Sequence, residues 1–313
     1  MNSATLKHLR YFEALAQHGH FGRAAAACAI SQPALSLQIK ELETILGAPL
    51  VERGARQIRL TSLGVAFAPR VRDILRAVDE LGDLARAAYS PLLGRLRIGI
   101  IPTIAPYLLP AIIKALTKHS PALDLRPREA VTQRLLEDLR DGKLDTAIMA
   151  LPVAGEALHQ EPLFEEEFVL VRPLADAAKP VPSPETLREM RLLLLEEGHC
   201  FRDQALSFCK IPASLPRAAL PRDVMEGSAL STLVQMVGAG IGVTLIPEMA
   251  VSIETRSAAV SVARLGQPRP TRRIGMVWRR TNPLSGQLTH IAGIVREAGM
   301  VGPAGTESHL IQK

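Results

Sequence analysis

Aromatic side chains make up only 4% of the 313 residues: one Trp, three Tyr and seven Phe. So few rings leave little to stack on unpaired bases, which argues against a single-stranded nucleic-acid binder. Cysteine is equally scarce, at Cys28, Cys200 and Cys209. Three thiols are no disulfide framework, and in a reducing compartment they are buried or reactive. No apolar run is long enough to cross a bilayer, and Met1 to Phe12 has no apolar core of signal-peptide length. The expectation is a cytoplasmic protein with no membrane association. Charge of one sign is not concentrated either. The net charge is +6, and the first 90 residues carry 11 Lys/Arg against 8 Asp/Glu. A nucleic-acid partner is compatible with that balance, but only local placement of the basic groups can argue for it.

What is present is ordinary globular composition, 47% hydrophobic and 22% charged, at a length suited to a small domain plus a larger one. Leu6, Leu9, Tyr11, Phe12 and Leu15 share a helical face that ends at His18-Gly19-His20. Phe21, Ala24, Ala25 and Cys28 open a second helix, in which Cys28 reads as core packing. Ser31 suits the cap of a third and Pro33 its first turn, with Leu35, Ile39, Leu42 and Leu46 on helical spacing and Gly47 closing it. Leu50 to Leu60 reads as a two-stranded wing with a glycine-bearing turn. From Thr61, a plausible cap, a long helical pattern runs through Leu63, Val71, Leu75, Val78, Leu81 and Leu84 towards Pro91 and Gly94. A helix of that length is marginal alone and pairs with a copy of itself.

In a helix-turn-helix the second helix presents its early side chains to base edges while flanking groups hold phosphates. Ser31, Gln32, Pro33, Leu35, Ser36 and Lys40 form the start and outer face of the third helix, and Arg53, Arg56 and Arg59 lie in the wing. Gln32 suits bidentate pairing with adenine, the serines suit phosphate or bases, and the basic groups suit the backbone. Singly, each residue suits the solvated face of a small helical bundle better than a DNA contact. Together, Leu9-Arg10-Tyr11-Phe12, Phe21-Gly22-Arg23-Ala24-Ala25, Ser31-Gln32-Pro33-Ala34-Leu35-Ser36, Ile39-Lys40-Glu41-Leu42-Glu43, Leu46-Gly47 and Leu60-Thr61 resemble, in order and spacing, the LysR family of transcription regulators.

Beyond the long helix the chain alternates strands and helices, as an α/β sheet does. The strand-like runs are Leu96–Ile101, Thr146–Ala150, Phe168–Val171, Leu192–Leu195, Val243–Ile246 and Ile274–Trp278. The helical ones are Pro110–Thr117, Gln133–Arg140, Pro184–Met190 and Leu230–Val237. The expected fold is α+β and multidomain: a winged helix-turn-helix at 1–61, a dimerisation helix at 62–91, a regulatory domain at 92–302 and a tail at 303–313. The resemblance implies that the regulatory domain has two α/β lobes like a periplasmic binding protein. Lobe I would hold about 92–165 and 268–300, and lobe II about 166–267. It also implies assembly as a homodimer and homotetramer.

Gly198 suits a turn that sets Cys200 at a helix N-terminus, where unpaired amides and the dipole favour an anion, with His199 and Arg202 beside it. Such surroundings favour a thiolate, the form that attacks peroxide, with a sulfenic acid as first product. Cys209 lies nine positions on, roughly 13–14 Å away if helix covers the interval. A disulfide needs about 4.4–6.8 Å between α-carbons, so a bond would require the segment to remodel. By spacing alone, the two cysteines are either a redox pair or two unrelated buried thiols.

Gly198-His199-Cys200, Arg202-Asp203-Gln204-Ala205 and Phe208-Cys209 are similar to the sensing segment of the peroxide-responsive members of the LysR family. Pro102-Thr103, Glu129-Ala130-Val131-Thr132 and Gly240-Ile241-Gly242-Val243-Thr244-Leu245-Ile246-Pro247 agree. That resemblance implies that Cys200 is the peroxidatic thiol and Cys209 the resolving one. Thr103, Thr132, His199 and an arginine before Ile274, either Arg272 or Arg273, would hold hydrogen peroxide. The implied partners are a double-stranded DNA operator, RNA polymerase and a thiol reductant for reset. The implied role is activation of oxidative-stress genes. Lys210-Ile211-Pro212 departs from the usual pattern after the second cysteine.

The alternative is a LysR regulator of a small organic effector, with Thr103 and Thr132 on its carboxylate. An enzyme is not expected, since a thiol peroxidase or oxidoreductase would leave the helix-turn-helix unexplained and no Cys-x-x-Cys is present. No cofactor is expected and no metal site, because the histidines are scattered and the His199-Cys200 spacing does not suit zinc.

Overall fold

The structure is a computed structural model that describes residues 4–52, 58–89, 94–212 and 225–300. The chain divides into two compact units, Met1–Ala85 and Arg86–Lys313.

The first unit opens with α1 (Leu6–His18), α2 (Phe21–Ala27) and α3 (Gln32–Leu46). A reciprocal capping box starts α1: the Thr5 hydroxyl accepts from the His8 amide, and His8 Nδ1 accepts from the Thr5 amide. Ser31 caps α3, with Pro33 in the first turn, and Gly47 ends it in the left-handed region. Strands β1 (Val51–Glu52) and β2 (Arg59–Leu60) pair antiparallel, as a wing does. The buried Glu43 carboxylate ties that wing to α3, accepting from the amides of Leu50 and Val51. The turn between the strands, with Arg53 and Arg56, lies outside the described residues.

Thr61 caps α4 (Ser62–Tyr89): its hydroxyl accepts from the Gly64 amide and donates to the Pro49 carbonyl. Gly64 is required where it stands, since a Cβ there would lie 2.2 Å from the Leu50 carbonyl oxygen. Phe12, Leu15, Leu35, Leu42 and Leu50 form a sealed core, joined by Ala68, Val71 and Leu75 of α4. Each large apolar side chain there contributes roughly 1.5–3 kcal/mol by leaving water.

The second unit is built on one mixed sheet. Its strands are β3 (Gly94–Ile100), β4 (Leu123–Glu129), β5 (Thr146–Leu151), β6 (Leu158–Pro173), β7 (Leu192–Leu195), β8 (Met225–Gly227), β9 (Val243–Pro247), β10 (Val260–Arg264) and β11 (Thr271–Arg279). They run in the order β4-β3-β5-β11-β6-β9-β7-β8, with β10 pairing β6. The helices are α5 (Ala105–His119), α6 (Thr132–Arg140), α7 (Pro184–Glu189), α8 (Cys200–Phe208), α9 (Leu230–Gly238), α10 (Val251–Glu254) and α11 (Ser285–Met300).

Two apolar cores divide this sheet. One gathers β3, β5, β11, α5, α6 and α11 around residues such as Ile98, Ile148 and Trp278. The other gathers β7, β9, α8 and α9 around Leu193, Leu206 and Val234. The sixteen-residue β6 serves both, pairing β11 along its first part and β9 and β10 along its second. The chain returns through Leu265–Pro270 into β11, so the two lobes share a crossing at β6 and β11.

Candidate functional site

In the first unit, Ser31, Gln32, Pro33, Ser36 and Lys40 are exposed along the start and outer face of α3, and Arg59 is exposed in β2. One exposed polar face thus follows directly from a well-capped helix seated on an apolar core.

In the second unit, Cys200 starts α8 at the position of the first helical residue and is half-buried. It packs against the apolar core of the first lobe, whereas Phe201, Ala205 and Leu206 of the same helix belong to the second. Gly198 supplies the left-handed turn that leads into α8. Its backbone sits at φ +94°, and a Cβ there would lie 3.7 Å from Val131. Val131 is itself the N-cap of α6, so the start of α6, with Thr132, comes beside the start of α8. The Thr132 hydroxyl oxygen is buried without a protein partner. The Gln204 side-chain oxygen, one turn after Cys200, is likewise buried and unpartnered.

Thr103 follows β3 in a buried turn and is held by Arg272. Arg272 Nη1 donates to Thr103 Oγ1 at 2.8 Å, and Nη2 to the Thr103 carbonyl at 3.0 Å. Arg272 Nε donates to Glu166 Oε2 at 2.8 Å. The guanidinium lies 5.4 Å from the centroid of the Phe201 ring, the residue after Cys200. Phe201 in turn meets Phe168 edge to face. The structure thus joins Thr103, Arg272 and the start of α8 in one connected group.

Burial lowers the His199 pKa below its ordinary value of 6.5, against the opposing pull of Glu196 and Glu129. The shift favours the uncharged imidazole at neutral pH. At the other end of α8, Cys209 is fully buried, and burial pushes its thiol up to about 11. Both thiols are free, with the whole of α8 between them. Among the described residues no cluster of three His, Cys, Asp or Glu stands ready to hold a metal.

Residues 6–65 match the bacterial regulatory helix-turn-helix of the lysR family, and residues 90–299 match the LysR substrate binding domain. The chain belongs to the LysR family.

Similarity runs well beyond the two domains. The chain is 42% identical over 298 residues to a probable hydrogen peroxide-inducible genes activator of Streptomyces viridosporus, covering 94% of each. It is 40% identical over 296 residues to the DNA-binding transcriptional dual regulator OxyR of Escherichia coli K12, covering 93% of this chain and 94% of that one. Full-length OxyR from Pseudomonas aeruginosa superposes with a TM-score of 0.74 at 34% identity, over 98% of this chain and 100% of that one. A hydrogen-peroxide-bound cysteine mutant of Corynebacterium glutamicum OxyR gives 0.64 at 34% identity, over 95% and 93%. As a LysR protein the chain is a DNA-binding transcription regulator and not an enzyme.

Within this LysR frame some expectations shift. Leu35 is fully buried in the core of the first unit, so it shapes α3 and does not face DNA. Of the two candidate arginines, only Arg272 reaches the Thr103 group. Arg273 is exposed and faces Glu165, because neighbours on β11 alternate between faces. Arg202, expected beside the thiol, is buried and pairs with Glu226 of β8 at 2.9 Å, which commits its charge elsewhere. Glu166 was missed altogether. The sequence signal was there: the acidic run Glu165-Glu166-Glu167 stands against Arg272-Arg273 as opposing charge on two strands. Cys28 is partly buried against the first core.

Proposed function

We propose that this LysR regulator activates oxidative-stress genes in response to hydrogen peroxide, with Cys200 as the peroxidatic thiol and Cys209 as the resolving one. The observation that carries the reading is the set of polar groups around Cys200. A buried, unpartnered Thr132 hydroxyl and an Arg272-bound Thr103 hydroxyl belong to the group assembled at the start of α8. That is a small set of buried hydrogen-bonding groups, suited to a molecule the size of peroxide. The relatives named for peroxide-inducible genes support it.

The chemistry is a two-step exchange. The Cys200 thiolate attacks one peroxide oxygen, the O–O bond breaks, hydroxide leaves, and the sulfur becomes a sulfenic acid. Thr103, Thr132 and neutral His199 orient the two oxygens, while the Arg272 charge favours the departing hydroxide. Cys209 then attacks the sulfenic sulfur, water leaves, and a Cys200–Cys209 disulfide forms. With α8 intact the two α-carbons lie roughly 13–14 Å apart, so the second step requires α8 to unwind. A thiol reductant resets the pair.

The read-out follows from the first unit. Ser31, Gln32, Pro33, Ser36, Lys40 and Arg59, with Arg53 and Arg56 of the wing turn, contact a double-stranded operator. RNA polymerase is the downstream partner, and the cytoplasm is the compartment. Leu63, Val65, Ile74 and Leu81 leave apolar surface exposed on α4, which supports pairing with a second copy through residues 62–91 and a homotetramer built from such dimers. The sensor spans 92–302, with lobe I at about 92–165 and 268–300 and lobe II at about 166–267.

Non-reducing peptide mass mapping tests the reading, before and after a brief near-stoichiometric dose of peroxide. The expected product is a linked Cys200–Cys209 peptide that C200S abolishes. Both thiols staying free in folded, initially reduced protein would refute peroxide sensing and redirect the search to an organic effector.

A further inference from the structure

Glu166 is a buried carboxylate at the crossing between the lobes, directly opposite Arg272 across β6 and β11. Its two oxygens do different things. Oε2 receives the Arg272 guanidinium, while Oε1 accepts the backbone N–H of Met249 at 2.8 Å. Met249 packs against both apolar cores. One side chain therefore ties β6, β11 and the turn after β9 together, and the guanidinium is the piece they hold.

The consequence reaches Thr103 through donor polarity. A guanidinium only donates, so when Arg272 Nη1 donates to Thr103 Oγ1, the Thr103 hydroxyl is left with its own hydrogen to give. That hydrogen is then free for an acceptor other than Arg272. Arg272 has no measurable exposure of its side chain, and a buried cation with no counter-charge would pay heavily in desolvation or leave its place. Glu166 supplies that counter-charge, and its contact with the Met249 amide fixes where the charge sits.

We propose that Glu166 is a positioning residue for the oxidation of Cys200. It acts through Arg272 and Thr103, without touching the oxidant, and it sets which way the Thr103 hydroxyl donates. This rests on the peroxide reading above. The step itself is the one already balanced: thiolate sulfur oxidised, peroxide oxygen leaving as hydroxide. Glu166 contributes by holding the donor that meets that developing charge.

The test compares two reagents on the same thiol in the full-length reduced protein. Hydrogen peroxide needs oriented donors, whereas iodoacetamide needs only an accessible thiolate. In E166Q the peroxide rate at Cys200 is expected to fall about tenfold or more, while the iodoacetamide rate stays within about twofold. In a T103V background, where the relayed hydroxyl is already gone, E166Q should cost no more than about threefold further. Equal loss with both reagents, full additivity with T103V, or an unchanged peroxide rate would each overturn the role. If E166Q does not fold, E166D keeps the charge but retracts the carboxylate, and the same selective loss is expected at about threefold. The wild-type arm separates the two ideas. A wild-type Cys200 no faster with peroxide than a free thiol would overturn peroxide sensing itself, and the Glu166 role with it.

Discussion

Cys200 and Cys209 bracket one nine-residue helix, and their surroundings are opposite. Cys200 is half-buried at the helix N-terminus, where Gly198 meets Val131 of the α6 cap and the neighbouring Phe201 ring meets the Thr103-bound Arg272. Cys209 is sealed in the second core at the C-cap, with its amide bonded back to Ala205. Burial alone holds the Cys209 thiol at about 11. The contrast teaches that helix end and solvent access divide the labour between two chemically identical thiols. One end presents helix N-terminal amides, and the other keeps its thiol protonated by burial.

The strongest break of that comparison removes one thiol at a time. At pH 7 a thiol held near 11 is a thiolate in about one molecule in 10⁴. In C200S, Cys209 should therefore oxidise at least about 100-fold more slowly than Cys200 does in C209S, read as sulfenic-acid trapping over time. Comparable rates would erase the asymmetry. Next, T103V should slow peroxide oxidation of Cys200 by roughly 10- to 100-fold while leaving alkylation of Cys209 in the native protein unchanged. Faster alkylation of Cys209 in T103V would instead point to loosened structure.

The smaller effects are pH dependences of stability. Cys209 has a folded pKa of about 11 against an ordinary 9.0. Its contribution is complete below pH 9 and is lost as pH rises towards 11, because the unfolded thiol ionises first. Chemical denaturation across that window should lose roughly 1–2 kcal/mol through this group, and C209S should remove that part of the slope. His199 works at the other side of neutrality. Its folded pKa lies below 6.5, so its contribution is present above 6.5 and is lost as pH falls, when the unfolded imidazole binds the proton first. The group is half-exposed, so the loss between pH 7 and 5 should be a fraction of 1 kcal/mol, and H199Q should flatten it. An unchanged slope in H199Q would show that another group titrates there.

Much of the architecture was legible because it repeats short-range rules. Leu192–Leu195 is a strand with the bounds its apolar run suggests, and Thr146–Ala150 and Val243–Ile246 each extend by one residue. The α3 cap, its proline and its closing glycine stand where their chemistry puts them. Strand β4 was invisible for a physical reason. Leu123–Glu129 holds Pro127 and four charged residues, which an edge strand tolerates because one side makes no ladder. The first part of β6 hid in the same way. Its acidic run reads as a loop until Arg264, Arg269, Arg272 and Arg273 arrive from other segments to neutralise it.

The amino-acid sequence by itself determined the helix-turn-helix pattern, the caps of α3 and the placing of the two cysteines at the ends of α8, although α5 (Ala105–His119) begins five residues before the expected Pro110. Each of these depends on residues within a turn or two of one another. Only the tertiary structure decided that Arg272 and not Arg273 joins Thr103, that Arg202 is committed to Glu226, and that Glu166 carries the counter-charge. Those contacts link residues as far as 169 positions apart. Their outcome turns on which face of a strand each side chain takes once two lobes share β6 and β11, and local periodicity does not carry that information.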